Sequence, residues 1–251
     1  MGTEPRRGIR PTGPVPSLMV TAFSLLVRNP ALTQAAFNEH WRETHAPLVR
    51  RLTYLQGYVQ NVRSNTPPPR LLTASRLDGV AGFWWSDRRD AIAATTDPVY
   101  VEGAQRDEPR FLEITKLRAV QTTPQQLHGP TAHPAPETTA VKAIAFIHGR
   151  DDADHAVLAS EFAQQWSYAV RHVPHPVDRS ILHSLAPRSG IPREPDAVIE
   201  FWWSSMDRYE QWADCCARRL AAHPAVDPAR SSILMVEESI VIGCGSSGGT
   251  V

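Results

Sequence analysis

Apolar positions along the chain gather into short runs that fall in two blocks, and proline-rich polar stretches flank and separate those blocks. The runs at 19–27 and 141–148 are short and apolar, which predicts strands. Each is followed by a segment of helical period, 34–52 with Thr33 as its N-cap and 154–171 in the second block. Segments 55–63 and 179–185 read as second strands. Segments 79–85 and 197–203 read as third strands, and their double Trp fits a strand buried on both faces. Second helices are expected at 87–95 and 206–221, capped by Ser86 and Ser205. Segments 111–120 and 232–242 close each block as strands. Strand–helix–strand–strand–helix–strand is the ferredoxin-like order. The predicted fold class is therefore α+β: two tandem ferredoxin-like βαββαβ units in one chain, pairing sheet to sheet about a pseudo-two-fold axis. The second sheet supplies the cover that the open face of the first requires.

The repeat makes this stronger than propensity would. Asp78-Gly79-Val80-Ala81-Gly82-Phe83-Trp84-Trp85-Ser86 returns as Asp196-Ala197-Val198-Ile199-Glu200-Phe201-Trp202-Trp203-Ser204, and Phe37 and Trp41 return as Phe162 and Trp166. Internal repeats decide architecture more firmly than local preference. The expected divisions are an unstructured 1–17, a first unit at 18–120, a Pro/Thr/Gln linker at 121–139, a second unit at 140–242 and a flexible tail at 243–251.

Composition then narrows the function. The 26 basic and 26 acidic residues cancel, so net charge gives no footprint for nucleic acid or an anionic membrane. Lys116 and Lys142 are the only lysines, which leaves few candidates for a Schiff base. Cys215, Cys216 and Cys244 form no CxxC pair or disulfide framework, and they read as thiols of a reducing cytoplasm. No apolar run reaches the roughly 18 residues of a membrane span. The run at 18–27 has a twin deeper in the chain and no small-residue cleavage site after it, so it is not read as a signal peptide. Nucleotide-binding glycine loops, a GxSxG elbow and an HExxH helix are all missing.

Candidate chemistry centres on the first helix. Phe37, Trp41, His45 and Leu48 lie at i, i+4, i+8 and i+11 and share its buried face. His45 thus sits in an apolar stripe. The simplest register of the repeat puts Val170 opposite it, while a two-residue insertion would put His172-Val173-Pro174 opposite His45-Ala46-Pro47. Pro47 removes a helix hydrogen bond and crowds the carbonyl of Glu43, freeing polar backbone beside His45. An imidazole there is a candidate general acid/base. His40 lies five residues away, about 140° around a regular helix, and reads as a solvated neighbour that cannot share a metal with it. Arg28 and Tyr54 are candidate oxyanion donors. Trp41, Tyr58, Phe83, Trp85 and Asp107 are candidates for substrate contact, with Asp107 and Glu108 also able to orient His45. His172, His175 and His183 form a second-half cluster of no assigned role.

The stretch Leu26 to Thr33, then Phe37, Trp41, His45-Ala46-Pro47-Leu48-Val49, Leu55-Gln56-Gly57-Tyr58-Val59-Gln60 and Asp107-Glu108-Pro109-Arg110-Phe111 resembles the EthD-like group of dimeric α/β-barrel proteins. The resemblance covers about 18–118 well and the second half mainly in its aromatics. It implies the sheet-to-sheet pairing of ferredoxin-like units, here both from one chain. It also implies cofactor-independent proton-transfer chemistry: a cyclase, dehydratase, decarboxylase or isomerase acting on a small hydrophobic carbonyl compound such as an aromatic polyketide or lactone. A cofactor-free or haem-dependent monooxygenase and a non-catalytic binder of hydrophobic ligands are the alternatives. The expected partners are a small substrate and no nucleic acid or membrane, with a monomer carrying an internal pseudo-dimer, or a homodimer, in the cytoplasm.

Overall fold

The computed structural model describes residues 20–69, 73–128, 139–150, 177–185, 195–224 and 226–243. Eight strands form one antiparallel sheet that closes on itself, and a ninth, short parallel strand is appended. They are β1 (Val20–Leu26), β2 (Leu55–Arg63), β3 (Thr73–Ala74), β4 (Gly79–Trp85), β5 (Arg118–His128), β6 (Val141–Ile147), β7 (Arg179–Leu185), β8 (Ala197–Trp203) and β9 (Ser232–Ile242). The order is β2-β4-β1-β5-β7-β8-β6-β9, and β9 returns to pair with β2. Eight strands therefore make a closed barrel, and β3 lies parallel beside the start of β9. Closure removes every edge that would otherwise present unpaired backbone.

Two long strands make the closure. β9 gives Ser232–Val236 to β6 and Val236–Ile242 to β2. β5 gives Arg118–Thr122 to β1 and Thr122–His128 to β7. This corrects two expectations. Phe111 ends a helix and the strand begins only at Arg118, and residues 121–128, read as linker, are the half of β5 that reaches across to β7. Pro124 is accommodated opposite His183, with a register irregularity at Gln126–His128.

Alternation along the strands divides the side chains between two layers. Ala81, Phe83 and Trp85 of β4 face outward onto helices, as do Phe201 and Trp203 of β8. Phe23, Leu25, Val80, Val120, Ile144, Phe146, Val198, Leu234 and Val236 fill the barrel interior. Each double Trp thus splits, as a two-faced strand demands. Trp85 and Trp203 belong to the helix layers, while Trp202 lies inside with Lys142 and Arg179 each 4.6 Å from its ring centroid.

The interior also holds a buried ion cluster. Lys142 Nζ lies 2.7 Å from Glu200 and bonds Glu238, and His183 Nε2 lies 2.9 Å from the other oxygen of Glu200. Burial disfavours both charges, yet the pairing wins. Lys142 is held above its ordinary value by the two carboxylates, and Glu200 far below its own by Lys142 and His183. His183 also meets Thr122 at 3.3 Å and Phe23 edge-on. It belongs to this interior network. His172 and His175 lie outside the described residues, as do the helix expected at 154–171 with Phe162, Trp166 and Val170.

The helices of the first half cover β1, β2 and β4. α1 (Gln34–Glu39) is capped by Thr33, whose hydroxyl accepts from Ala36 N at 3.1 Å. α2 (Ala46–Val49) follows it, and α3 (Arg88–Thr96) is capped by Asp87 rather than Ser86. A further helix, α4 (Gln105–Phe111), was not foreseen. In the second half α5 (Met206–Ala221) packs Tyr209 and Trp212 on Trp203. No helix among the described residues is long and apolar enough to cross a membrane.

Close approach of the first helix to the sheet depends on Gly79. A Cβ there would lie 2.5 Å from Trp41 Cζ3 and 3.2 Å from the Asn61 carbonyl. Trp41 cannot swing away, because its indole N–H donates to Tyr58 Oη at 2.9 Å in a fully buried setting. Gly79→Ala should therefore overpack the layer and cost about 1–3 kcal/mol, read as a lower melting temperature. An unchanged melting temperature would show that the helix is not held against β4 as described.

Candidate active site

The site begins with a defect in a helix. Between α1 and α2 the chain makes a π-helical turn over His40–His45, in which Ala46 N donates to Trp41 O, five residues back. Pro47, at the start of α2, has no N–H to offer. The Trp41 carbonyl is also reached by Gln60 Nε2 at 2.8 Å. The kink anticipated at Pro47 is thus a widened turn whose backbone is satisfied from β2. A π turn brings residues five apart onto one side, where an α-helix would set them about 140° apart. His40 and His45 accordingly converge. This corrects the reading of His40 as a solvated bystander.

They converge on Asp107. Its Oδ2 lies 3.1 Å from His45 Nδ1 and 3.0 Å from His40 Nε2, and Arg110 approaches its Oδ1 at 3.6 Å. Asp107 is 3% exposed. A carboxylate only accepts, so His45 carries its proton on Nδ1 and leaves Nε2 as a free lone pair. Phe111 packs against both imidazoles, with ring centroids at 5.0 and 4.8 Å. Burial lowers the His45 pKa below 6.5. Asp107 opposes the shift without cancelling it, and His40 adds to it. His45 is consequently a neutral base at pH 7.

α4 places Asp107 there, and it too follows a π turn, Tyr100–Ala104. Both the His45 turn and this one border a cavity of about 320 Å³, at the small end of the usual range for small-molecule sites. The cavity lies between the outer face of the sheet and α3. Val49, Leu52, Phe83, Trp85, Ala91 and Ile92 give it an apolar wall. Its polar groups are few: His45, Tyr100, Glu108, Ser24, Thr95 and Gln121.

Of the residues singled out in the sequence, His45, Phe83, Trp85 and Glu108 line this cavity. Asp107 stands behind His45. Trp41 and Tyr58 form a buried layer beneath the wall: Trp41 bonds Tyr58, Tyr58 stacks on Phe83 at 5.0 Å, and Phe83 stacks on Trp85 at 5.7 Å. Burial drives the Tyr58 hydroxyl strongly upward, so it stays a neutral hydrogen-bonding group. Arg28 and Tyr54 are not brought to the cavity. Arg28 pairs with Asp78 and donates to the Leu32 carbonyl, and Tyr54 is 44% exposed in the turn before β2. Tyr100 was missed altogether. Its hydroxyl donates to Glu108 Oε1 at 2.9 Å. Trp85 offers one more feature: its indole N–H is buried and has no hydrogen-bond partner among the described residues. Those residues contain no cluster of three or more His, Cys, Asp or Glu side chains arranged to hold a metal ion.

Residues 29–115 match the EthD domain. This chain is 28% identical over 110 residues to the conidial pigment biosynthesis dehydratase EthD of Metarhizium robertsii, an overlap of 39% of this chain and 75% of that protein. An anthrone oxidase-like protein shares the fold with a TM-score of 0.64 at 10% identity, over 92% of this chain and 97% of that one. A chlorite dismutase from Candidatus Nitrospira defluvii shares it with a TM-score of 0.51 at 9% identity, over 90% and 92% of the two chains.

Proposed function

Residues 29–115 are an EthD domain, and from that premise we propose that the chain is an acid/base enzyme working without an external cofactor on a small apolar carbonyl compound, in the manner of a dehydratase. The observation that carries this is His45. It is a buried, neutral imidazole with Nδ1 tied to Asp107 and Nε2 the ring nitrogen left for the apolar cavity it lines. A neutral imidazole held out of water is suited to taking a proton from a carbon next to a carbonyl. The wall of Phe83 and Trp85 suits a flat, mono- or bicyclic ring. The relative named as a pigment dehydratase supports elimination of water above the other proton-transfer reactions.

The test needs no knowledge of the natural substrate. The bicyclic ketone 1-tetralone has exchangeable protons beside its carbonyl. The protein should speed their replacement by deuterium in heavy water, read by proton NMR. Exchange no faster than in buffer alone would remove the proposal, and oxygen consumption without exchange would move the reading to a monooxygenase.

The barrel reads further as two tandem ferredoxin-like units. The order β2-β4-β1-β5 in the first half and β7-β8-β6-β9 in the second places corresponding strands alike, and this supports an internal pairing equivalent to a dimer. The protein would then be monomeric in solution, and separately expressed halves, each with an apolar sheet face exposed, would self-associate. Two soluble monomeric halves would contradict this.

A further inference from the structure

We infer that Glu108, held by Tyr100, is a second proton-transfer group of the same cavity and delivers the proton to a leaving hydroxyl, so that the substrate class is a cyclic β-hydroxyketone. The inference rests on the proposed role of His45.

Asp107 and Glu108 are neighbours on α4 that turn to different tasks. Asp107 faces the two histidines, while Glu108 lines the cavity with Tyr100. The Tyr100 hydroxyl occupies Glu108 Oε1, which leaves the second oxygen to carry a proton. No cationic side chain pairs with Glu108 among the described residues, although arginines are plentiful in the chain. A carboxylate half-buried against an apolar wall without a cation is disfavoured relative to the neutral acid. Burial raises its pKa, and the negative charge of Asp107 adds to the rise; the Tyr100 bond draws it back only in part. His45 is pushed the other way. Two titratable groups displaced in opposite directions around one cavity are drawn toward the pairing of a neutral base with a protonated acid.

Elimination of water needs both. His45 Nε2 takes the proton from the carbon beside the carbonyl. The electron pair of that bond forms the new carbon–carbon double bond as the adjacent carbon–oxygen bond breaks. The departing hydroxyl takes the Glu108 proton and leaves as water. His45 is then protonated and Glu108 ionised, and proton exchange with solvent restores both.

The experiment compares 1-tetralone with its 3-hydroxy derivative, which loses water to become fluorescent 1-naphthol. Exchange on the parent ketone needs only the base, while naphthol formation needs base and acid. Glu108→Gln should lose naphthol formation by at least ~10²-fold while exchange stays within about threefold. Tyr100→Phe should lose far less than Glu108→Gln. The Gln variant should also be at least as stable as wild type at neutral pH: stability linked to a raised carboxyl is lost as pH rises through its folded pKa, and the amide has no proton to lose. Naphthol formation at the wild-type rate in Glu108→Gln would overturn the inference and leave His45 standing. Equal loss of exchange and naphthol formation would overturn it by reducing Glu108 to a wall of the cavity. A larger loss in Tyr100→Phe would move the acid to the phenol. Wild-type protein that exchanges nothing removes the proposed function, and this inference with it.

Discussion

Lys142→Met is expected to destabilise the protein by about 3–5 kcal/mol, the usual cost of removing one partner from a buried ion cluster. Lys142 sits between Glu200 and Glu238 inside the barrel, with its side chain 1% exposed. Without its ammonium, two buried carboxylates, one on β8 and one on β9, are left on either side of β6. His183 and the Trp202 indole still contact one carboxylate each, and neither bridges the two as Lys142 does. The loss should be largest at neutral pH. Glu200 is held far below its ordinary pKa, so its contribution is present above about 4.5 and fades as pH falls through the folded value. Denaturant midpoints at two pH values read this directly. A midpoint that does not move in Lys142→Met would mean the cluster is solvated rather than internal.

His45→Val is expected to reduce proton exchange on a bound ketone by at least ~10²-fold, the lower range of what one positioned acid/base contributes. Its effect on stability should be smaller. Asp107 keeps His40 and Arg110 as partners, so the substitution does not strand a buried carboxylate. Valine leaves less empty space than alanine. The pH dependence should change as well. Because the His45 pKa is lowered on folding, the unfolded chain binds the extra proton between the folded value and 6.5, and stability falls as pH drops through that window. His45→Val should flatten that slope, leaving the part that His148, also lowered by burial, contributes. A protein that melts far lower yet exchanges normally would make His45 a structural residue.

The strands were legible because their signals are local. The Phe-Trp-Trp-Ser repeat marks β4 and β8, and it anticipates that one Trp of each pair turns inward. The apolar stripe from Phe37 to Leu48 put His45 on the buried face. What the sequence hid depends on partners far along the chain. His40 and His45 meet because of a π turn, and a five-residue spacing has no meaning until that turn is known. The polar run Gln105–Phe111, interrupted by Pro109, carries no helical stripe, so α4 and the inward turn of Asp107 and Glu108 leave no periodic trace. Residues 121–128 look like linker because Pro124, Thr and Gln favour loops. They are a strand only because β7 lies alongside to pair with them. Arg28 and Tyr54 were chosen for chemistry without position, and the fold directs one to Asp78 and the other to solvent.

The central claim is the state of one imidazole, and nitrogen-15 NMR of histidine-labelled protein measures it directly, with His45→Val used to assign the signal. At pH 7 His45 should be neutral, with its proton on Nδ1 and a bare Nε2, and it should take a second proton only below pH 6.5. Asp107→Asn should disturb that tautomer. A His45 already doubly protonated at pH 7, or neutral with its proton on Nε2, would contradict the account.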